Sequence, residues 1–440
     1  MIYESPPDSD VDLGHWSGGG KPAVVRVVVT ALWLRSTEHH LMVVFVGERA
    51  DRGVSECPAV ERGQGGRAFL SGETPRGLAG PAWHALTRSA GTRSVEGRPI
   101  TVVTDYRGAT ALLGSPLWSR AAAQRDVVGP ASAMSVTDMD PPRHTRFRRL
   151  IDHAFSARAV ERLRPGIARR AFELVDEIRT TGPLADLVTR FCTPFAFGVH
   201  CDLLGVPEDA RPALLSWSLA RSGQPGATPE QIAHAERGLA RVVTDVLDRQ
   251  RRAGNGTGLF PALLRRHRDE ELSDDELIGL AASMFFDGHI LASAQIAQAV
   301  LCLVLHPEQL RRVRDDFTLI PAAAEEILRF SPAITVGMTR VPTAAGASAA
   351  GVAFGLVNRD PAVFGHPDGF SIDRCPNRHL SFGRGVHHCL GAALMRQELH
   401  VAIEALLRGL PGLRLAQPEH TIAWSASLAV RSLDALMLEW

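Results

Sequence analysis

The residues with the most chemical content lie in His379–Glu398, HLSFGRGVHHCLGAALMRQE, where a glycine-punctuated loop runs straight into a helix of small and apolar residues. That order places Cys389 at a helix N-terminus. There the macrodipole and the free backbone N–H groups stabilise a thiolate, the form of cysteine that binds metal. Gly383, Gly385 and Gly391 permit the tight turns and close backbone approach that a flat cofactor requires. Phe382 can pack on one face of such a group, while the neighbouring loop N–H groups aim at the sulfur and tune its basicity. A lone cysteine ahead of a helix is more often a core residue, so the pattern around it has to decide.

That pattern, FGRGVHHCLG (Phe382–Gly391), matches F-G-x-G-x-H-x-C-x-G in full and resembles the signature loop of the cytochrome P450 family. The resemblance implies haem b as cofactor, an axial thiolate at Cys389 and His387 near a haem propionate. Three further stretches are similar to the family in the same order, so the likeness covers roughly 85–440. MDPPRHTRFRRL (Met139–Leu150) resembles the helix at the propionate edge, with His144 and Arg148 four apart on one face and both able to donate to a carboxylate. Glu326 and Arg329 match the family's E-x-x-R pair, and Arg374 matches the third member of its buried charge network. MTRVP puts Arg340 where the family has another propionate-binding arginine. Singly, His144, Arg148 and Arg340 read as ordinary solvated faces, and Glu326 with Arg329 as a compensated charge pair that does no chemistry. Their joint order favours cofactor contact.

One segment departs from the family. Where it normally reads A-G-x-(E/D)-T-T, with an acid and an alcohol that help deliver protons to the oxygen being reduced, this chain has Asp287, Gly288, His289, Ile290, Leu291 and Ala292. Neither Ile290 nor Leu291 offers a donor or a seat for water. Gly288, Ile290, Leu291 and Ala292 are expected to face the distal pocket. Asp287, one turn before Leu291, either relays protons or binds a basic substrate group, against the alternative that it only bonds within the helix or to a nearby loop. His289 and Ser293 point sideways. This loss shifts weight toward substrates that supply their own polar group, or toward radical coupling without oxygen insertion.

The elements that must position these residues are mostly helical. Apolar residues recur at three-to-four spacing over 167–178, 230–252, 275–305 and 321–330, and 228–255 carries both a start signal, TPEQ, and a stop at Gly254. Pro99–Thr104 is strand-like, and the C-terminal third is rich in loops. The segment between Arg340 and Asn358 is short for the family's strand, turn and strand, so a trimmed hairpin is expected there. Residues 1–75, rich in Gly and Arg, read as a disordered or extended leader. The expected fold is mainly α, a single P450-like domain over 76–440 with small β subdomains.

Composition sets the partners. With 48 Lys plus Arg against 48 Asp plus Glu, the overall field favours neither nucleic acid nor an anionic membrane, leaving a small-molecule substrate. The most apolar early stretch, 22–47, is broken by Arg26, Arg35, Glu38, His39 and His40, short of the roughly 20 apolar residues of a spanning helix. Six cysteines without zinc-like spacing indicate a reducing, cytoplasmic setting. An oxidase of this kind needs electrons from a ferredoxin and its reductase, docking on the thiolate side near Arg143, Arg146 and Arg384. The expected role is oxidation of a natural-product intermediate. The alternative is a haem-bearing homologue that recruits or stabilises a partner, favoured by Ile290 and Leu291 and opposed by the intact Cys389 loop.

Overall fold

The computed structural model describes residues 26–35, 40–49, 91–95 and 98–440, apart from 124–134, 222–227, 255–257, 270–271, 344–348 and 425–429. Its principal helices in chain order are α1 (Tyr106–Gly114), α2 (Arg143–Ile151), α3 (Ala157–Thr180), α4 (Thr193–Leu204), α5 (Arg211–Arg221), α6 (Pro229–Ala253), α7 (Asp274–Leu305), α8 (Ile320–Phe330) and α9 (Ala392–Gly409). All four helices expected from periodicity form. Their ends follow local chemistry. Thr228 and Gln231 close a reciprocal capping box ahead of α6, which stops at Gly254 in the left-handed region, φ 75°. Ser273 and Glu276 make the same box ahead of α7, with Asp274 and Asp275 in its positive first turn.

α7 is the axle of the fold. Every residue from Ala292 to Leu303 is buried, and the helix packs against α4, α6, α8 and α9. A helix apolar on all sides belongs in the interior. This corrects the expectation that no stretch is long and apolar enough to cross a bilayer. α7 passes that test, with a mean hydropathy of 1.7 over its most apolar window, but 67% of that window lies buried inside the protein.

The β structure is small. Strands β1 (Arg26–Arg35), β2 (His40–Arg49), β3 (Gly91–Val95), β4 (Arg98–Val103), β5 (Trp118–Ser119), β7 (Val336–Pro342) and β8 (Ala349–Ala353) form one sheet in the order β1-β2-β3-β4-β8-β7-β5. β4 and β8 run parallel, and the other pairs are antiparallel. A second sheet joins β6 (Leu184–Asp186), β10 (Met437–Glu439) and β9 (Arg414–Leu415). Within 1–75, read from sequence as a leader, the described residues are the strands β1 and β2, and the rest lie outside the described residues. The turn of the β7–β8 hairpin, at 344–348, also lies outside them. Cys192, Cys201, Cys302, Cys375 and Cys389 are all free thiols.

Behind the signature loop, Glu326 and Arg329 on α8 are both wholly buried. The carboxylate accepts from Arg329 Nε and Nη2 at 2.8 Å, from Arg374 Nε at 3.0 Å, from the Ser371 backbone N–H and from Asn377 Nδ2. Arg329 spends its other N–H groups on the carbonyls of Asn358, Pro367 and Gly369. Asn358 then accepts from Leu380 N and donates to Ser381 Oγ, so the network reaches the loop that carries Cys389. Removing one partner of a buried pair strands the other charge. Glu326→Ala is therefore expected to lower unfolding free energy by about 3–5 kcal/mol in denaturant titrations. Asp373→Ala, which breaks a surface pair with Arg312, should leave stability near that of the parent. Equal small losses in both would contradict the role assigned to the network.

Candidate active site

The signature loop is shaped by two glycines and a chain of backbone hydrogen bonds. Gly383 and Gly385 have φ of 67° and 76°. A Cβ on Gly385 would also lie 2.8 Å from the Leu113 carbonyl oxygen, so the loop leans directly on α1. Gly383 N–H bonds Leu380 O, His388 N–H bonds Gly385 O, and Cys389 N–H bonds Phe382 O at 2.8 Å. α9 then opens with Gly391 as its N-cap, which sets Cys389 just ahead of a helix N-terminus. Burial pushes the Cys389 thiol up, while the Gly391 N–H and the charges of Arg148 and Arg396 pull the other way and Asp287 adds to the rise. Protein surrounds the sulfur at long range, yet Cys389 is an exposed residue because its near side opens onto a cavity. Phe382 beside it carries the Arg396 guanidinium 4.6 Å above its ring, and Arg396 is held by Glu325.

This cavity, of about 240 Å³, lies between the loop and α7. His144, Arg148, Asp287, Gly288, Leu291, Ala292, Phe382, Gly383, His387, Cys389 and Gly391 line it together. Arg340 stands just outside, 2% exposed on β7, with one long bond from Nη1 to Trp118 O. Ile290 is a correction: it does not line the cavity, because each helical residue turns by about 100° and this carries it off the face shared by Asp287 and Leu291. Ser293 reaches Thr193 on α4, away from the cavity. His289 also turns away, its Nδ1 toward Phe285 O at 3.0 Å and its Nε2 toward Ser218 Oγ of α5 at 3.1 Å.

The edge of the cavity holds polar groups that the protein leaves without partners. Both ring nitrogens of His144, Nδ1 of His387, and Nε and Nη2 of Arg340 are buried and make no hydrogen bond. The His144 and His387 rings lie 4.5 Å apart. Burial lowers both histidines; His144 also feels Arg148, and His387, pressed by His144 and by Arg340, falls to about 3. Burial likewise lowers Arg340. Stranded buried donors are costly, so a set gathered at one rim suits a ligand bearing carboxylates. Arg148 differs in that it already bonds Asp152 and His388 O. A cysteine sulfur facing a cavity, with carboxylate-seeking donors along one edge, fits a haem.

Sequence reasoning did not single out Ser135, Thr137, His200 or Glu398, which also line the cavity. Ser135 Oγ donates to Asp287 Oδ2 at 3.0 Å. His200 on α4 fills the space beside Gly288, where a Cβ would sit 2.2 Å from the imidazole. Its Nδ1 is 3.6 Å from Glu398, whose carboxyl is raised well above its usual range by burial. Glu398 was legible as a charged residue on an otherwise apolar helix face. Ser135, Thr137 and His200 join the site only through contacts distant in the chain.

No protein-family profile matches the chain. Mycinamicin IV hydroxylase/epoxidase of Micromonospora griseorubida is 36% identical over 358 residues, covering 78% of this chain and 90% of that protein. The chain belongs to the cytochrome P450 family. Among solved structures, the P450 hydroxylase LnmA from the leinamycin pathway of Streptomyces atroolivaceus superposes with a TM-score of 0.75 at 32% identity, covering 84% of this chain and 98% of that one. CxnD, a P450 for C–S bond formation in chuangxinmycin biosynthesis, superposes with a TM-score of 0.72 at 29% identity, over 81% and 92%. This P450 is accordingly a haem-thiolate monooxygenase that acts on a small molecule with electrons from redox partners.

The buried His289 generates a pH prediction. Phe285 O can only accept, so Nδ1 carries a proton. Burial, opposed in part by the bond to Phe285 and reinforced by His200, lowers its pKa to about 4. A base depressed in the fold contributes stability that is fully present above its unfolded pKa of about 6.5 and lost as pH falls toward 4, here by roughly 3 kcal/mol. His289→Gln should flatten that part of the profile in unfolding titrations between pH 7 and 4. An unchanged slope would mean that His289 is not buried as a neutral base.

Proposed function

We propose that this P450 oxidises a natural-product intermediate in a bacterial secondary pathway, with haem b bound through Cys389 and electrons delivered by a ferredoxin and its reductase. One observation carries the reading. The Cys389 sulfur, met by the Gly391 N–H, opens onto a cavity rimmed by the unpartnered donors of His144, His387 and Arg340. The similarity to mycinamicin hydroxylase/epoxidase and to LnmA supports a natural product as substrate. The free cysteines are in keeping with a cytoplasmic setting.

Haem, when bound, supplies the iron chemistry that activates oxygen. The chain's residues do the rest. Cys389 holds the iron, and the Gly391 N–H together with Arg148 and Arg396 steadies negative charge on the sulfur. His144, Arg148, His387 and Arg340 hold the propionates, and Phe382 packs beside the porphyrin. Leu291, Ala292 and Gly288 form a close wall on α7 that orients substrate and excludes loose water, while Asp287 places a carboxylate in the same wall. Arg143, Arg146 and Arg384 give the thiolate side a positive face for an acidic ferredoxin. A second reading, oxidative coupling without oxygen insertion, is favoured by the apolar Leu291 and by the likeness to CxnD.

Reduction under carbon monoxide should give the far red-shifted Soret band of thiolate ligation. Cys389→Ala should lose that band and keep its helical circular dichroism. With ferredoxin and reductase present, NAD(P)H consumption should rise when macrolide-like or peptide-derived natural products are added. A wild-type protein that binds haem without the band, or a Cys389→Ala variant that retains it, overturns the ligand assignment.

A further inference from the structure

We infer that Ser135 and Thr137 supply, from a loop, the hydroxyl groups that α7 lacks, and that with Asp287 they form a directed proton path into the cavity before Cys389. The inference rests on the monooxygenase reading and concerns how that reaction obtains its protons.

The geometry gives the chain one polarity. Ser135 Oγ lies 3.0 Å from Asp287 Oδ2 and 2.7 Å from Thr137 Oγ1. A serine hydroxyl has one proton to give and two lone pairs. An ionised carboxylate only accepts, so Ser135 spends its proton on Asp287. The lone pairs of Ser135 then receive the Thr137 hydroxyl and the Thr137 backbone N–H. Every hydroxyl proton in the row therefore points toward Asp287. Ser135 is buried, whereas Thr137 is exposed.

The row is also held in place by the protein itself. Val136–Asp138 is a short 3₁₀ turn, and Arg120 clamps it through Thr137 O at 3.0 Å and Asp138 Oδ1 at 2.9 Å, while bonding Thr339 O of β7. Asp287, Ser135 and Thr137 all line the cavity, and Asp287 shares its helix face with Leu291. The acid and alcohol missing from consecutive positions of the helix are thus present in space, one on α7 and two on the loop before α2. A hydronium at Thr137 passes a proton to Oγ1, the Thr137 hydroxyl proton moves to Ser135 Oγ, and the Ser135 proton moves to Asp287 Oδ2. As many O–H bonds form as break, and no electrons are exchanged. Asp287, now a neutral acid, gives its proton to the acceptor in the cavity, and rotation of the two hydroxyls resets the row.

A loop anchor without proton traffic would show the same contacts, so the test needs a readout that anchoring does not move. The probe is the carbonyl complex of the reduced holoenzyme, whose C–O stretch is recorded by infrared spectroscopy in H₂O and in D₂O. The wild type should show an isotope-sensitive stretch. Ser135→Ala and Asp287→Asn should each abolish that sensitivity, divert reducing equivalents from product to hydrogen peroxide and slow product formation by roughly a hundredfold. Ser135→Thr, which keeps a hydroxyl, should retain wild-type behaviour, and the double variant Ser135→Ala/Asp287→Asn should be no worse than Asp287→Asn alone. A wild-type stretch indifferent to D₂O, or a Ser135→Ala variant with unaltered stretch and peroxide yield, overturns the path. Absence of the thiolate carbonyl band from wild-type protein would instead remove the monooxygenase reading beneath it.

Discussion

The structure depends on the cost of hiding a carboxylate. Glu326 sits where no water reaches it, and ionised carboxylates in such places are tolerated only when their lone pairs are taken. Two arginines, a backbone N–H and an asparagine take them. Arg329 comes from the same helix and the other three partners from the single stretch 371–377, so satisfying one side group ties that stretch to α8, and Arg329 adds the loop near Pro367. Rigidity is what the metal ligand needs. The loop holding Cys389 has little regular structure, and its shape is inherited from the charge network through Asn358, Leu380 and Ser381.

Opposite that rigid side stands α7, whose interior half is buried on every face and whose cavity-facing half carries the departures from the family. Two polar clusters flank it. On one side Ser135 and Thr137 meet Asp287; on the other His200 presses against Gly288 and neighbours the buried Glu398. A helix that lacks the family's adjacent acid and alcohol is therefore set between polar groups from the loop before α2 and from α4 and α9. The glycine at 288 is required by the imidazole behind it, since any side chain would have to displace His200.

Much of this was legible in the sequence, for a physical reason. The thiolate loop, the capping boxes of α6 and α7, and the pairing of Glu326 with Arg329 are local, set by residues within a few positions of one another. Arg374 and the cavity-facing His144 were readable only through resemblance, because their partners lie far along the chain. Ile290 was misplaced because alignment assigns a position and not a direction; a rotation of about 100° separates it from Leu291. Ser135, Thr137 and His200 were not readable, since a serine in a short turn or a histidine in a buried helix has no periodicity to announce it. α7 has the length and hydropathy of a membrane span, and only packing shows that most of that surface faces the protein interior.

The contact between Gly385 and the carbonyl of Leu113 has a temporal meaning. α1 emerges early in synthesis and the signature loop near the end, yet the loop takes its turn against that carbonyl. The pocket that grips the porphyrin is therefore unfinished until the last helices have left the ribosome. Cys389 lies in that same late stretch, so a fragment ending before Phe382 lacks both the sulfur and the turn that rests on α1.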